Sequence, residues 1–176
     1  MKLLPQRLSG IHLIEVDYLC DERGFFARSY CTKELSAAGI DAPIAQCNIS
    51  SNTQKGIIRG LHYQKAPFEE GKIVRCTKGK IFDVCVDLRP DSDTYCQWLG
   101  FELTEDNHKA LYIPKGFAHG FQTLSEQTEI LYLMTEYYEA SASTGVRWND
   151  TTFAIDWPLS DPLLSDRDAN YPNFTK

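Results

Sequence analysis

Residues 71–90 read GKIVRCTKGKIFDVCVDLRP, and their polarity repeats every second residue. Phe82, Val84, Val86 and Leu88 fall on one side, and Ile81, Asp83, Cys85 and Asp87 on the other. A period of two is that of an extended strand, and a Lys-Gly pair at 78–79 between two such runs predicts a tight turn. Further short runs follow: QWLGFELT (97–104), ALYIP (110–114), GFQTLS (120–125) and TEILYLMTEYY (128–138). Gly, Pro, Asn and Asp bound them. Helical signals are confined to TKELSAAGI (32–40), with Thr32 as the predicted N-cap and Gly39 as the stop, and to a turn around TEDNH (104–108). Strands do not alternate with helices, which argues against a parallel doubly wound sheet. Many short strands at even spacing predict a sandwich or closed barrel. No internal repeat is visible.

The chain has 176 residues and no shift of composition or linker, so a single domain over 1–176 is expected. A net charge of −6 argues against sequence-independent nucleic-acid binding; an anionic ligand would need a local cluster of Arg and Lys. The stretch MKLLPQRLSG lacks the apolar core of a secretion signal, and no apolar run approaches the roughly 18 residues that span a bilayer. A cytoplasmic protein with no membrane partner is therefore expected. The six cysteines (20, 31, 47, 76, 85 and 96) form no CxxC pair and no zinc spacing, so reduced thiols are expected, with Cys85 a small core residue.

Several strands carry the wrong residues for a simple core. GIIRGLHYQ (56–64) sets Arg59 and His62 among isoleucine, leucine and tyrosine. Burying an unpartnered polar group costs roughly 2–7 kcal/mol, and a charge more. In a regular strand His62 and Gln64 share a face and Arg59 takes the other; a bulge at Gly60 is predicted to turn Arg59 to the side of His62. Lys72 opens the next strand. Tyr132, Met134, Glu136 and Tyr138 share one strand face, and Gln46, Asn48 and Ser50 another. His119 lies in a glycine-flanked loop within IPKGFAHGF, and DERGFF (21–26) is a charged turn before an aromatic pair. Each has an ordinary reading by itself: a satisfied core histidine, a turn lysine, a packing stripe, a solvated loop. Together in one barrel they point to a lined interior. Histidines stand at 12, 62, 108 and 119, and no HxH pair exists because Gln64 follows His62, so a metal-dependent oxygenase is rejected. GxGxxG, Walker and GxSxG patterns are absent.

From residue 21 to 168 the chain carries, in order, DERGFF, Q-x-N-x-S, RGLHYQ, GKIVRC-x-x-G-x-I-x-DV-x-VDLR, IPKGFAHGF-x-TLS, YY and WND…IDWP…LSDRD. This resembles the dTDP-4-dehydrorhamnose 3,5-epimerase family. The resemblance implies a mainly β, cupin-type jelly-roll barrel with a few short helices. It implies a homodimer acting on a nucleotide-diphosphosugar in deoxysugar biosynthesis, with neither metal nor organic cofactor. The family inverts carbons beside a C4 ketone, which needs a base, a cation at the enolate oxygen and an acid across the ring. By resemblance His62 is the base, Asp168 orients it, Lys72 stands beside the C4 oxygen and Tyr132 is the acid. Tyr138 would stack on the nucleobase, Arg23 and Arg59 would meet the diphosphate, His119 would touch substrate, and Phe26, Gln46 and Asn48 would line the pocket.

The pattern breaks at four positions. Arg28 stands where the family has a substrate-binding glutamate, and Cys47 at the middle of its Q-D-N triplet. Ser143 replaces a further glutamate, and Arg167 replaces the lysine before Asp168. An arginine at 28 can donate to cytosine, so a CDP-linked substrate is an alternative to dTDP. A monoepimerase, a 3,4-ketoisomerase and a non-catalytic nucleotide-sugar-binding barrel are the other readings.

Overall fold

A computed structural model describes residues 1–175. In chain order its elements are β1 (Lys2–Pro5), β2 (His12–Glu15), β3 (Tyr18–Asp21), β4 (Gly24–Ala27), α1 (Thr32–Ala37), β5 (Gln46–Asn52) and β6 (Ile58–Gln64). There follow β7 (Lys72–Lys78), β8 (Lys80–Asp87), β9 (Trp98–Thr104), β10 (Ala110–Ile113), β11 (Phe117–Thr123), β12 (Thr128–Met134), β13 (Ser143–Gly145) and α2 (Asp166–Ala169). One sheet has the order β1-β2-β10-β7-β12-β5, the second β13-β6-β11-β8-β9, and β3-β4 form a separate hairpin. Every strand ladder among them is antiparallel. The two antiparallel sheets agree with the sandwich or closed barrel that the strand pattern predicts and with the mainly β, cupin-type jelly roll that the resemblance implies.

Both sheets pack on each of their faces. Between the sheets lie Val74, Cys76, Ile81, Cys85, Leu103, Phe117, Phe121 and Ile130. On the outside of the six-stranded sheet, Ile73 and Tyr112 pack beneath Leu35 of α1 and the following Ile40 and Ala42. On the outside of the five-stranded sheet, Val84, Val86 and Ala118 pack beneath Val146, Phe153 and Trp157 of the C-terminal segment. Cys85 is a core residue, as expected, and burial pushes its thiol well above the ordinary range. All six cysteines are free thiols.

Several boundaries differ from expectation. The N-cap of α1 is Cys31, without a side-chain cap, and Thr32 is the first helical residue; Gly39, at φ +75°, does end the helix. The TEDNH segment makes a turn in which Asn107 and Thr104 exchange side-chain hydrogen bonds with each other's backbone. β11 begins at Phe117, so His119 is a buried mid-strand residue and not a loop residue. β12 ends at Met134, so Tyr138 is carried by a loop and does not share the strand face of Tyr132.

The bulge at Gly60 is present. His62 pairs with His119 and Arg59 with Phe121, so Gly60 and Leu61 together oppose Gly120. Gly60 has φ +141°, and a Cβ there would lie 2.5 Å from the Cα of Gly120. A Cβ on Gly120 would in turn lie 2.7 Å from the carbonyl oxygen of Arg59. Two glycines from adjacent strands thus meet where no side chain fits. Gly60→Ala should destabilise the fold by at least about 2 kcal/mol, read as a lower urea midpoint at unchanged slope; a change below about 0.5 kcal/mol would show that the strands part freely.

Candidate active site

A cavity of about 530 Å³ opens between the two sheets. Gln46, Asn48 and Ser50 reach it from β5, as the alternation of that strand requires, while Cys47 points outward to solvent. The bulge delivers both Arg59 and His62 from β6, Lys72 enters from β7, His119 from β11 and Tyr132 from β12. His62 and Tyr132 therefore stand on opposite sheets, facing one cavity.

His62 Nε2 bonds Asp168 Oδ1 at 2.6 Å, across 106 residues of chain. The C-terminal segment is brought there by pairing with the start of β6: Leu163 bridges Ile57, with the N–H of Ile58 donating to Leu163 O and that of Leu163 to Gly56 O, both at 2.9 Å. Ser165 then caps α2, its hydroxyl accepting from the Asp168 N–H at 3.2 Å. This four-residue helix is a feature the sequence reading missed, although Ser165-x-x-Asp168 is a capping pattern. Burial opposes ionisation of Asp168, but the hydrogen bonds from His62, Ser165 and the Gly60 N–H outweigh it and hold the carboxyl below its usual range. Tyr171 presents its ring edge to His62, with centroids 5.9 Å apart.

The other polar groups come in pairs. Lys72 Nζ donates to Glu70 Oε1 at 2.8 Å, and both side chains are largely buried. Arg59 Nε donates to Asn52 Oδ1 at 2.7 Å. The guanidinium is not buried, which corrects the premise drawn from its strand; Arg59 lines the cavity and stays open to solvent. Fully buried Asp83 accepts from His119 Nε2 at 2.8 Å. His119 and Tyr132 meet edge to face, with centroids 6.1 Å apart. Burial raises the Tyr132 phenol above its usual range, the nearby Asp83 charge raises it further, and Arg59 and Ser50 act the other way. Arg167 donates to the Ser143 hydroxyl at 3.0 Å, and both line the cavity. Tyr138 also lines it from its loop, where its N–H donates to Gln46 Oε1 at 2.9 Å.

Arg23, Phe26 and Arg28 are not brought to the cavity within one chain. Arg23 is tied to Asp21 in the turn of the β3-β4 hairpin, and Arg28 pairs with Glu34 at 2.6 Å. Phe26 is 71% exposed. Conversely, Glu70, Gln64 and Asp83 belong to the site region and were not singled out as functional. Gln64 is fully engaged, donating to Phe68 O and Tyr137 O and accepting from the Glu139 N–H, so it pins the loops at the cavity mouth. Its signal was its place two residues after His62, on the same face. Glu70 precedes its strand, where no periodicity applies. Among the described residues no group of three or more His, Cys, Asp or Glu is arranged to hold a metal ion.

The family model for dTDP-4-dehydrorhamnose 3,5-epimerase matches residues 5–176. A dTDP-4-dehydrorhamnose 3,5-epimerase of Shigella flexneri is 41% identical over 175 residues, which is 99% of this chain and 96% of the relative. The crystal structure of the Bacillus anthracis dTDP-4-dehydrorhamnose 3,5-epimerase with TDP and PPi bound superposes with a TM-score of 0.95 at 44% identity, covering 98% of this chain and 99% of that one. The Legionella pneumophila dTDP-6-deoxy-D-glucose-3,5-epimerase, in complex with dTDP-4-keto-L-rhamnose, gives a TM-score of 0.91 at 39% identity, covering 97% and 90%. With its fold, its facing histidine and tyrosine and these matches over nearly its whole length, the chain belongs to the dTDP-4-dehydrorhamnose 3,5-epimerase family.

Proposed function

We propose that this protein inverts C3 and C5 of dTDP-4-dehydro-6-deoxy-D-glucose to give dTDP-4-dehydro-L-rhamnose. The observation that carries the reading is the placement of His62 and Tyr132 on opposite walls of one cavity that Lys72 also lines from β7, the strand paired with that of Tyr132. Inversion requires that a proton leave one face of the sugar ring and another arrive on the opposite face. The C4 ketone acidifies the hydrogens at C3 and C5. His62, whose imidazole lines the cavity, takes one of them. Asp168 fixes the ring and stabilises the imidazolium that forms, as a triad aspartate does. Negative charge moves to the C4 oxygen, where the ammonium of Lys72 favours it. The Tyr132 hydroxyl returns a proton to the far face. Each step is a proton transfer, so the reaction balances without oxidant or reductant.

Arg59 and Arg167 suit the diphosphate, since a guanidinium matches phosphate oxygens in pairs. His119 would touch the sugar, and Tyr138 with Gln46 and Asn48 would receive the base. The Bacillus anthracis relative binds TDP and the Legionella pneumophila relative dTDP-4-keto-L-rhamnose, which supports dTDP as the carrier. Arg23, Phe26 and Arg28 act in this reading through a homodimer. Leu19 and Phe26 are cross-strand partners on the hairpin and are 68% and 71% exposed. Ile49 is 67% exposed on β5, which is a free sheet edge. Uncovered apolar faces and an open edge of this kind suit a second copy, whose hairpin would carry these three residues to the cavity mouth.

Proton NMR in D2O with dTDP-4-keto-6-deoxyglucose, and in parallel with its CDP counterpart, tests the reaction. Loss of both the C3 and C5 proton signals with dTDP is expected. His62→Ala should slow this by about 10²–10⁴-fold. Exchange at one carbon would mean a monoepimerase, exchange only with CDP a different carrier, and none with either a binding barrel. Asp168 gives a pH test. Its folded carboxyl titrates below that of the unfolded chain, so its stabilisation is complete above about pH 4 and is lost as pH falls through the lower folded value. The Tm of Asp168→Asn should therefore fall less steeply below about pH 4 than that of the wild type; equal slopes would remove the charge from the dyad. In light scattering the wild type should have about twice the 20.0 kDa chain mass, and Phe26→Asp should run as a monomer with raised KM. A dimeric Phe26→Asp variant would move the interface elsewhere.

A further inference from the structure

Asp83 is fully buried in the middle of β8, between the core residues Ile81 and Cys85 of the same strand face. One carboxylate oxygen accepts from His119, and the other, Oδ2, is buried with no hydrogen-bond partner among the described residues. A buried carboxylate with one oxygen unmet is costly, and an apolar or amide side chain would fill the space with less penalty. Satisfying His119 alone does not require a negative charge, because an asparagine oxygen would accept the same hydrogen. The charge itself therefore needs a use.

Its surroundings supply one. Arg59 from β6 and Ser50 from β5 act on Tyr132, the His119–Asp83 pair from β11 and β8 lies against it, and His62 from β6 and Lys72 from β7, paired to Glu70, line the same cavity. A cavity that must hold a diphosphate and an enolate is lined with cations, and cations beside a phenol favour its ionised form. A tyrosinate has no proton to give. We propose that Asp83 is a positioning residue for the epimerisation: its buried charge fixes the orientation of His119 and keeps the Tyr132 hydroxyl protonated against the cations of the cavity. The inference rests on the reading of Tyr132 as the acid. The same charge makes the tyrosinate left after donation a stronger base, so it recovers a proton from solvent before the second centre reacts. An enzyme that inverts two carbons in succession needs that recovery twice.

Asp83→Asn keeps the shape and the acceptor for His119 and removes the charge. The variant is expected to bind dTDP as the wild type does while kcat falls at least about tenfold. The alkaline limb of the kcat profile should move to lower pH. In D2O the variant should wash protons out of the substrate faster than it forms inverted product, because His62 still abstracts while Tyr132 fails to deliver. Unchanged kcat, pH limb and washout ratio would overturn the proposal, as would a kcat loss at unchanged limb and ratio, which is what simple loosening of the core gives. Should Asp83→Asn fail to fold, 3-fluorotyrosine placed at position 132 of the otherwise unaltered protein tests by fluorine NMR the premise that the phenol is kept protonated, which burial and Asp83 both favour. Its resonance should stay that of the neutral phenol at a pH where free 3-fluorotyrosine is ionised; titration in the free range overturns the proposal. Tyr132→Phe separates the two claims: full activity in that variant removes the acid itself, whereas an inactive Tyr132→Phe beside an unaltered Asp83→Asn removes only the role of Asp83.

Discussion

The contact on which the site depends involves no side chain. Gly60 and Gly120 let two adjacent strands approach until their backbones touch, and the bulge that results inserts one extra residue into β6. Without it the period of two would send Arg59 and His62 to opposite faces, one to the cavity and one to the outer layer beneath Val146 and Phe153. The entry of both Arg59 and His62 into one cavity is thus set by the absence of two Cβ atoms. Everything that binds His62 follows from the same place, because the Gly60 N–H is also one of the groups that stabilise the Asp168 carboxylate.

The cavity balances charge at short range. Lys72 meets Glu70, Arg59 is tethered by the neutral Asn52, and Arg167 leans on Ser143 and over the ring of Tyr171. The cations that line the cavity are thereby held in place without each being cancelled. Where full cancellation does occur, at Lys72, the partner is buried with it, so substrate meets a fixed ammonium and not a mobile one. The negative charges that could repel substrate, Asp83 and Asp168, sit behind histidines that touch the cavity in their stead.

Much of this was legible in the chain. The strand pairs 72–78 and 80–87, the shared face of Gln46, Asn48 and Ser50 and the bulge at Gly60 follow from alternation and from glycine alone, whereas the inward direction of Gln46 and Asn48 came from the resemblance. Boundaries were harder. The every-second-residue pattern of Tyr132 and Met134 extends on paper to Glu136 and Tyr138, and only the turn that ends β12 shows that Tyr138 belongs to a loop. His119 looked like loop because glycines flank it, whereas Gly120 serves close packing inside a strand. The ion pair of Lys72 with Glu70 and the cost of Asp83 are long-range or burial facts that no periodicity encodes. The exposure of Arg59 reversed an argument from burial, because a strand at a cavity mouth is apolar on one side only.

The pairing of Leu163 with Ile57 has a consequence for the order of events in the cell. His62 is made early in synthesis and its partner Asp168 comes 106 residues later. The barrel strands up to β13 can pair as they emerge, yet the imidazole lacks its carboxylate until the segment around Leu163 has left the ribosome and docked beside β6. The dyad is thus completed by a contact that forms only after the strand it serves has been made.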